Sequence, residues 1–184
     1  MKNTVYPAYS FSSNMGIFIM AMIRLATSPK KSNDGYVKAL ATVIETIELV
    51  TVQKDGFIEK IEKDCFKVLL KTETIDKKDM TMNIAIFGTF NPNSESTKRI
   101  GSKNVPIYNK LTTVLLKLNV IDKEFLDKAK SDIDNTDLAD MTAQFLAIKD
   151  LPVRFKTLKN AKGFLEPDIM SLEVTGDMPI VESE

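Results

Sequence analysis

The segment from Leu151 to Val174 constrains the fold most, because it has the pattern of two short strands joined by a polar turn. Apolar and polar side chains alternate along its first arm, so one face can join a core while the other presents cations. The inward-facing set is Val153, Phe155 and Thr157, and the outward-facing set is Arg154, Lys156 and Leu158. Residues 160–163 supply turn chemistry, with Gly163 able to take a positive φ. The segment therefore predicts a β-hairpin in an antiparallel sheet.

Charge is distributed unevenly along the chain, although the formal net charge is zero. Residues 1–165 hold all 25 Lys and Arg residues against 19 acidic ones, a net charge of +6. The remaining residues hold six acidic side chains and no basic one. This asymmetry predicts a single basic domain over residues 1–175 and a flexible acidic tail over residues 176–184.

Length and composition are those of an ordinary globular domain: 184 residues, of which 43% are apolar and 27% charged. The longest apolar stretch, Met15 to Met22, is far shorter than the ~20 residues that cross a bilayer. The N-terminal residues show no export-signal pattern. We therefore expect a cytoplasmic protein without a membrane segment.

Histidine is absent and Cys65 is the single cysteine, which removes most common catalytic and metal-binding chemistry. Ser-His-Asp and Cys-His catalysis, zinc sites and an internal disulfide are excluded. Cys65 heads a strand pattern and is predicted to be a small buried apolar residue. The aspartates within residues 132–140 lack the Gly and Glu of an EF-hand loop, so we expect a solvated loop with Asp137 as a helix N-cap. We predict no catalysis, no metal and no cofactor.

The first half of the chain predicts four or five consecutive antiparallel strands. The segments with strand patterns are Gly16–Ser28, Tyr36–Val52, both sides of the Asp55-Gly56 turn within residues 53–64, Cys65–Ile75 and Met80–Phe90. A helix over residues 36–52 is the alternative, since some of its apolar residues also fit a 3.6-residue period. The many β-branched residues favour a long or bent strand.

The second half begins with a polar loop over residues 91–104, and loops of this length tend to be functional or disordered. Apolar residues then recur at helical spacing in three segments: residues 106–119, a segment capped by Asp122, and residues 137–148. The predicted fold is α+β, an antiparallel β-barrel with two or three helices inserted before the final hairpin.

Basic and aromatic residues alternate along the predicted strands and loops. The aromatic set is Tyr36, Phe87, Phe90, Phe155 and Phe164, and the basic set includes Lys30 and Lys31. Proteins that bind single strands without reading sequence combine a basic groove with aromatic faces for base stacking. In the alternative interpretation, the lysines only solubilise the protein and the phenylalanines fill its core. A core role is preferred for any single Phe, whereas Tyr36 fits a core role and a stacking role equally well.

This layout resembles that of phage-encoded single-stranded-DNA-binding proteins of the OB type. The shared order is strands, a helix like residues 109–120, an acidic segment, a strand like residues 151–164 and a negative tail. The resemblance implies an OB-like barrel that coats single-stranded DNA or RNA in replication or recombination, in the host cytoplasm if phage-encoded. By position in the layout, the implied nucleic-acid-binding residues are Tyr36, Lys38, Lys67, Lys71, Lys98, Arg99, Lys103, Arg154, Lys156, Lys159 and Lys162.

The tail residues Asp177, Met178, Pro179 and Ile180 are loosely similar to the acidic tip of bacterial single-strand binding proteins. They differ from it because the chain continues through residues 181–184 and does not end in an aromatic residue. The similarity implies that the tail competes for the DNA groove and docks replication or recombination partners.

Two other classes of function stay open at this point. One is a virion, scaffolding or inhibitor-type protein-interaction module without DNA binding. The other is a Mg²⁺-dependent nuclease, which would need two or three carboxylates converging near the basic residues 98–103 of the polar loop. The sequence also leaves a homo-oligomer open.

Overall fold

Seven strands and three helices follow one another in the described part of this computed structural model, which covers residues 28–100, 103–131 and 138–176. For residues 98–100 and 103–106 it describes the backbone alone. The strands are β1 (Val37–Lys54), β2 (Phe57–Glu73), β3 (Asp79–Ile86), β4 (Ser96–Ile100), β5 (Lys103–Ile107), β6 (Leu151–Lys159) and β7 (Leu165–Val174). The helices are α1 (Lys110–Lys117), α2 (Lys123–Ser131) and α3 (Leu138–Leu146).

Five of the strands form one antiparallel sheet in the order β3-β2-β1-β6-β7. Strands β1 to β3 follow one another directly, and β6 returns after the helices to lie beside β1. This is a Greek-key arrangement, in which the fourth strand of the motif lies beside the first. The α+β class and the insertion of helices before the final hairpin are therefore confirmed.

The described residues form an open sheet, so the closed barrel predicted from the sequence is not found in them. Strands β3 and β7 are the two edges and are not hydrogen-bonded to each other, although some of their Cα atoms lie within 8 Å. Helix α1 packs against β7.

Both predicted turns are present. Asp55 and Gly56 join β1 to β2 with φ angles of 50° and 84°, the pair of positive values that a type I′ hairpin turn requires. Gly163, between β6 and β7, has a φ of 78°. In that turn the Asn160 side-chain oxygen accepts hydrogen bonds from two backbone N–H groups, each at 3.0 Å.

One hydrophobic core lies between the inner face of the sheet and the three helices. It includes Val37, Ala39, Ala41 and Val43 of β1, Leu151, Val153 and Phe155 of β6, and Leu111, Val114, Leu126 and Phe145 of the helices. Phe90 and Phe155 are buried in it, so the core interpretation is correct for these two rings. Cys65 is buried as predicted, and burial raises the pKa of its thiol.

The polar segment over residues 91–104 is more ordered than its sequence predicts. A 3-10 turn at Pro92–Ser94 is followed by β4 and β5, which pair as a separate antiparallel hairpin. The Lys130 ammonium lies 2.5 Å from a Glu95 carboxylate oxygen, which ties this segment to α2 and lowers the pKa of Glu95.

Local signals mark the helix starts. Asn109 accepts from the Thr112 N–H at 2.9 Å, and Asp122 accepts from the Phe125 N–H at 2.7 Å, as an N-cap does. The predicted strand over residues 16–27, the Asp137 cap and the tail from residue 177 lie outside the described residues.

The distal parts of β1 and β2 extend beyond the sheet as a two-stranded ribbon. β6 pairs with β1 only at Val37–Ala41, and β3 pairs with β2 only at Phe66–Glu73. We call residues 44–54 and 57–65 the β-ribbon. At about 3.4 Å per residue, its longer strand is ~35 Å in length.

Replacing Phe155 by Ala should lower the free energy of unfolding by about 3–5 kcal/mol, because it leaves a large cavity in the core. Leu158→Ala is the matched control on the same strand: its side chain is 55% exposed, and the change should stay within about 0.5 kcal/mol. Urea unfolding of both variants measures the difference. Similar losses of unfolding free energy in the two variants would contradict the assignment of Phe155 to the core face and Leu158 to the solvent.

Candidate nucleic-acid interface

The sheet face opposite the core collects cations from three neighbouring strands. Along β1, alternate side chains from Val37 to Val43 are buried, while Lys38 and Leu40 are exposed. The register places Lys38 opposite Arg154 of β6 and Leu40 opposite Lys71 of β2. Opposed side chains in an antiparallel pair lie on one face, about 4.5–5.5 Å apart at Cβ. We call this surface the outer face.

Tyr36 lies at the edge of the outer face with two cations against its ring. The Arg154 guanidinium carbon is 4.7 Å from the ring centroid, and the Lys156 ammonium nitrogen is 4.9 Å from it. Both distances are within the range of cation–π attraction. Three predicted binding residues, from two distant parts of the sequence, therefore form one cluster.

Arg154 is also held by carboxylates. Two of its nitrogens lie 2.6 Å and 2.8 Å from the same Glu173 oxygen, and an Asp34 oxygen is 3.8 Å away. The hydrogen bonds to Glu173 raise the pKa of Arg154, with smaller contributions from the charges nearby. These contacts fix the guanidinium beside Tyr36, and they also offset its charge.

A cleft of about 630 Å³ opens beside this cluster and is lined by lysines. Lys30 pairs with Glu73 at 3.2 Å, and Lys71 pairs with Asp79 at 2.9 Å, an interaction that raises the pKa of Lys71. The other lysines of the cleft are Lys31 and Lys38. Neither forms an ion pair with any described residue, so their charges face the cleft uncompensated.

Lys30 and Lys31 line the cleft, although they are not among the binding residues that the resemblance implies. The structure brings them to the sheet through short bridges from Pro29 to Thr74 and from Lys31 to Val37. The Lys30 N–H donates to the Glu73 carbonyl at 2.9 Å. The sequence signal for them is their place in the basic set that alternates with aromatic residues.

The remaining predicted residues lie farther from the cluster. Lys67 is on the outer face about 13 Å along β2 from Lys71 and pairs with Glu48. Lys159 and Lys162 are exposed at the turn between β6 and β7. The side chains of Lys98, Arg99 and Lys103, on β4 and β5, lie outside the described residues, as do Asp177, Met178, Pro179 and Ile180.

Among the described residues, no group of three or more acidic or cysteine side chains is arranged to hold a metal ion. The aspartates within residues 132–137 are outside that set. None of the helices described here combines the length and the apolar character needed to span a membrane.

Comparison with protein-family models, with curated proteins and with solved structures gives no match to this chain. Among the described residues, the outer face groups cations from neighbouring strands with an aromatic ring.

Replacing Asp34 by Ala should destabilise the fold in a pH-dependent manner. Asp34 accepts from the Ser32 hydroxyl and, at 3.3 Å, from the Tyr36 N–H, and these hydrogen bonds lower its pKa. A lowered pKa means that the stabilisation is complete above the ordinary value of about 3.9 and is lost as pH falls through the lowered one. Urea midpoints of wild type and variant should differ at neutral pH and converge in acid.

Asp34→Asn is the matched control, because its amide oxygen can accept the same two hydrogen bonds without the negative charge. Its urea midpoint at neutral pH should lie between those of wild type and the Ala variant. A gap between wild type and the Ala variant that stays constant down to low pH would show that the carboxylate charge is not what stabilises the turn.

Proposed function

We propose that this chain binds single-stranded nucleic acid along the outer face of its sheet, largely without reading base sequence. The observation that carries the proposal is the cluster in which Arg154 and Lys156 lie against Tyr36, with Lys38 on the neighbouring strand and the lysine-lined cleft beside them. Cations that track phosphates next to an aromatic ring are what sequence-independent binding requires.

The division of roles follows from charge and exposure. Lys31 and Lys38 have no acidic partner among the described residues, so they are the cations best able to attract phosphates. Tyr36 is half-buried and has two cations against its ring, so a base stacks there by displacing one of them, an interaction worth about 1–3 kcal/mol per base. Glu173 and Asp79 pair with Arg154 and Lys71, so a phosphate has to compete with a carboxylate for these two cations. The affinity should depend strongly on salt, because phosphate contacts release counterions.

The architecture supports an OB-like assignment as part of the same proposal. OB folds are five-stranded, partly open Greek-key barrels that bind oligonucleotides on one sheet face and through the loops after their first and fourth strands. The five-stranded sheet here has Greek-key order and an open seam between β3 and β7. Its fourth strand, β6, leads into the turn that carries Lys162, and Lys159 precedes that turn.

A labelled oligo-dT should bind with an affinity that falls steeply between about 50 mM and 200 mM salt, because phosphate contacts release counterions. The double variant Lys38→Gln and Lys156→Gln should bind more weakly and should reduce the slope of log K against log salt by about 1.4, or 0.7 for each lost phosphate contact. Fluorescence anisotropy across a salt series measures both quantities.

Lys117→Gln with Lys128→Gln is the matched control, since it removes the same charge from α1 and α2, away from the outer face. This control should keep the wild-type slope. Equal losses of affinity in the two double variants, or no binding of oligo-dT by wild type at low salt, would overturn the proposal.

Removing residues 177–184 should increase the affinity for oligo-dT. Three of the residues removed are acidic, and an acidic tail competes with phosphates for a basic surface. A variant with Asp177→Asn, Glu182→Gln and Glu184→Gln keeps the tail and removes its charge, so it should reproduce the gain. Unchanged or weaker binding by both would exclude competition by the tail.

A protein-interaction module, such as a virion, scaffolding or inhibitor component, is the second candidate. It is favoured by the apolar side chains exposed on the β-ribbon. Ile47 and Leu49 are each 62% exposed, Phe57 is 78% exposed and Ile58 is 80% exposed. Exposed apolar surface of this kind marks interaction sites. Absence of oligo-dT binding, together with association through the ribbon, would place this candidate first.

A further inference from the structure

The β-ribbon has an unused pairing edge along β2. Strand β3 ends at Ile86, opposite Phe66, so the described residues provide no neighbour for residues 57–65 on that side. An isolated two-stranded hairpin is marginally stable in water, and a free strand edge is a template for another strand. The ribbon therefore presents backbone donors and acceptors to a partner.

The sequence of this edge is complementary to itself. Residues 59–63 read Glu-Lys-Ile-Glu-Lys, and their four charges form no ion pair with any described residue. Antiparallel pairing of two copies about Ile61 places Glu59 opposite Lys63 of the second copy and Lys60 opposite its Glu62. By symmetry, four pairs of opposite charge form. Such opposed pairs stabilise antiparallel sheets, whereas like charges destabilise them.

We propose that two copies of this chain associate through residues 58–64 of β2, paired antiparallel about a twofold axis at Ile61. The product is a four-stranded ribbon in which the two β2 strands are central. This is an isologous contact, which closes after two subunits and exposes no further edge of β2.

Side-chain direction agrees with this register. When the twofold axis passes through a single residue, each even-numbered residue of one copy lies opposite an even-numbered residue of the other, and each odd-numbered residue opposite an odd-numbered one. Opposed side chains then lie on the same face of the sheet, as an antiparallel ladder requires. Within each copy Val50 lies opposite Ile61, and both side chains are half-buried. Association therefore extends this pair into an apolar row of two Val50 and two Ile61 side chains.

The charge pattern also fixes the register. Moving the axis by one residue places Lys60 opposite Lys60 or Glu62 opposite Glu62, which brings like charges together. The other edge of the β-ribbon, residues 44–54 of β1, contains only Glu45, Glu48 and Lys54 as charged residues and offers fewer opposite pairs. The edge of β2 is thus the self-complementary one.

Two charge variants of the full-length chain test the proposal. The acidic variant carries Lys60→Glu and Lys63→Glu, and the basic variant carries Glu59→Lys and Glu62→Lys. Wild type should sediment as a dimer with rising concentration. Each variant alone should associate at least about tenfold more weakly, because every opposed pair becomes one of like charge. An equimolar mixture of the two should regain wild-type association as a heterodimer.

A variant with all four charges inverted is the matched control, since its pattern is again self-complementary. It should dimerise like wild type and should not pair with it, because mixed pairing opposes like charges. All four positions are exposed, so circular dichroism should show the same fold in every variant. A monomeric wild type, or an acidic variant that dimerises as wild type does, would overturn the proposal.

Discussion

The antiparallel pairing of Val37–Ala41 with Leu151–Phe155 is the contact on which the architecture depends. It joins the strands of the first half of the chain to the hairpin that follows the helices, and it makes β1 the central strand of the sheet. The inward side chains of this pairing are almost completely buried in the core. Because successive residues of a strand point to opposite faces, the same pairing places Lys38 beside Arg154 outside. The pairing that buries the inner face therefore also brings these cations together on the outer face.

The outer face combines its cations with carboxylates, which offset part of its positive charge. Glu173 and Asp34 hold Arg154, Asp79 holds Lys71, and Lys31 and Lys38 have no acidic partner among the described residues. Exposed ion pairs of this kind contribute little to stability, about 0–1 kcal/mol each. Under the proposed function, a phosphate would therefore replace one of these carboxylates at little cost in the free energy of folding. Such an exchange would favour reversible binding.

The sequence predicts the parts of this molecule in which burial is periodic. Alternation from Val153 to Phe155, the Asp55-Gly56 turn and the Asp122 cap all identify local structure correctly, because each depends on neighbouring residues. The β4–β5 hairpin is not predictable in this way, since residues 96–107 lack apolar alternation and the hairpin is defined by backbone pairing. The outward direction of Lys156 follows from periodicity, but its contact with Tyr36 depends on the register between distant strands. Closure of the barrel fails as a prediction for a similar reason, because it requires a pairing between β3 and β7 that neither strand's pattern specifies.

The outer face and the β2 edge use different residues, so binding and self-association can be separated physically. Tyr36, Lys38 and Arg154 lie where β1 is paired on both sides, whereas residues 58–64 lie where the ribbon has left the sheet. The proposed dimer would carry two outer faces on one particle. Under the proposed function, once one face held a strand of nucleic acid, the second would meet the same strand at an effective concentration set by the connection between them. Avidity would then increase without any new contact and would offset the weakening of each face by its carboxylates. The β-ribbon is unnecessary for the core, and the proposed dimer would explain its length, because the ribbon would link two binding surfaces of modest affinity.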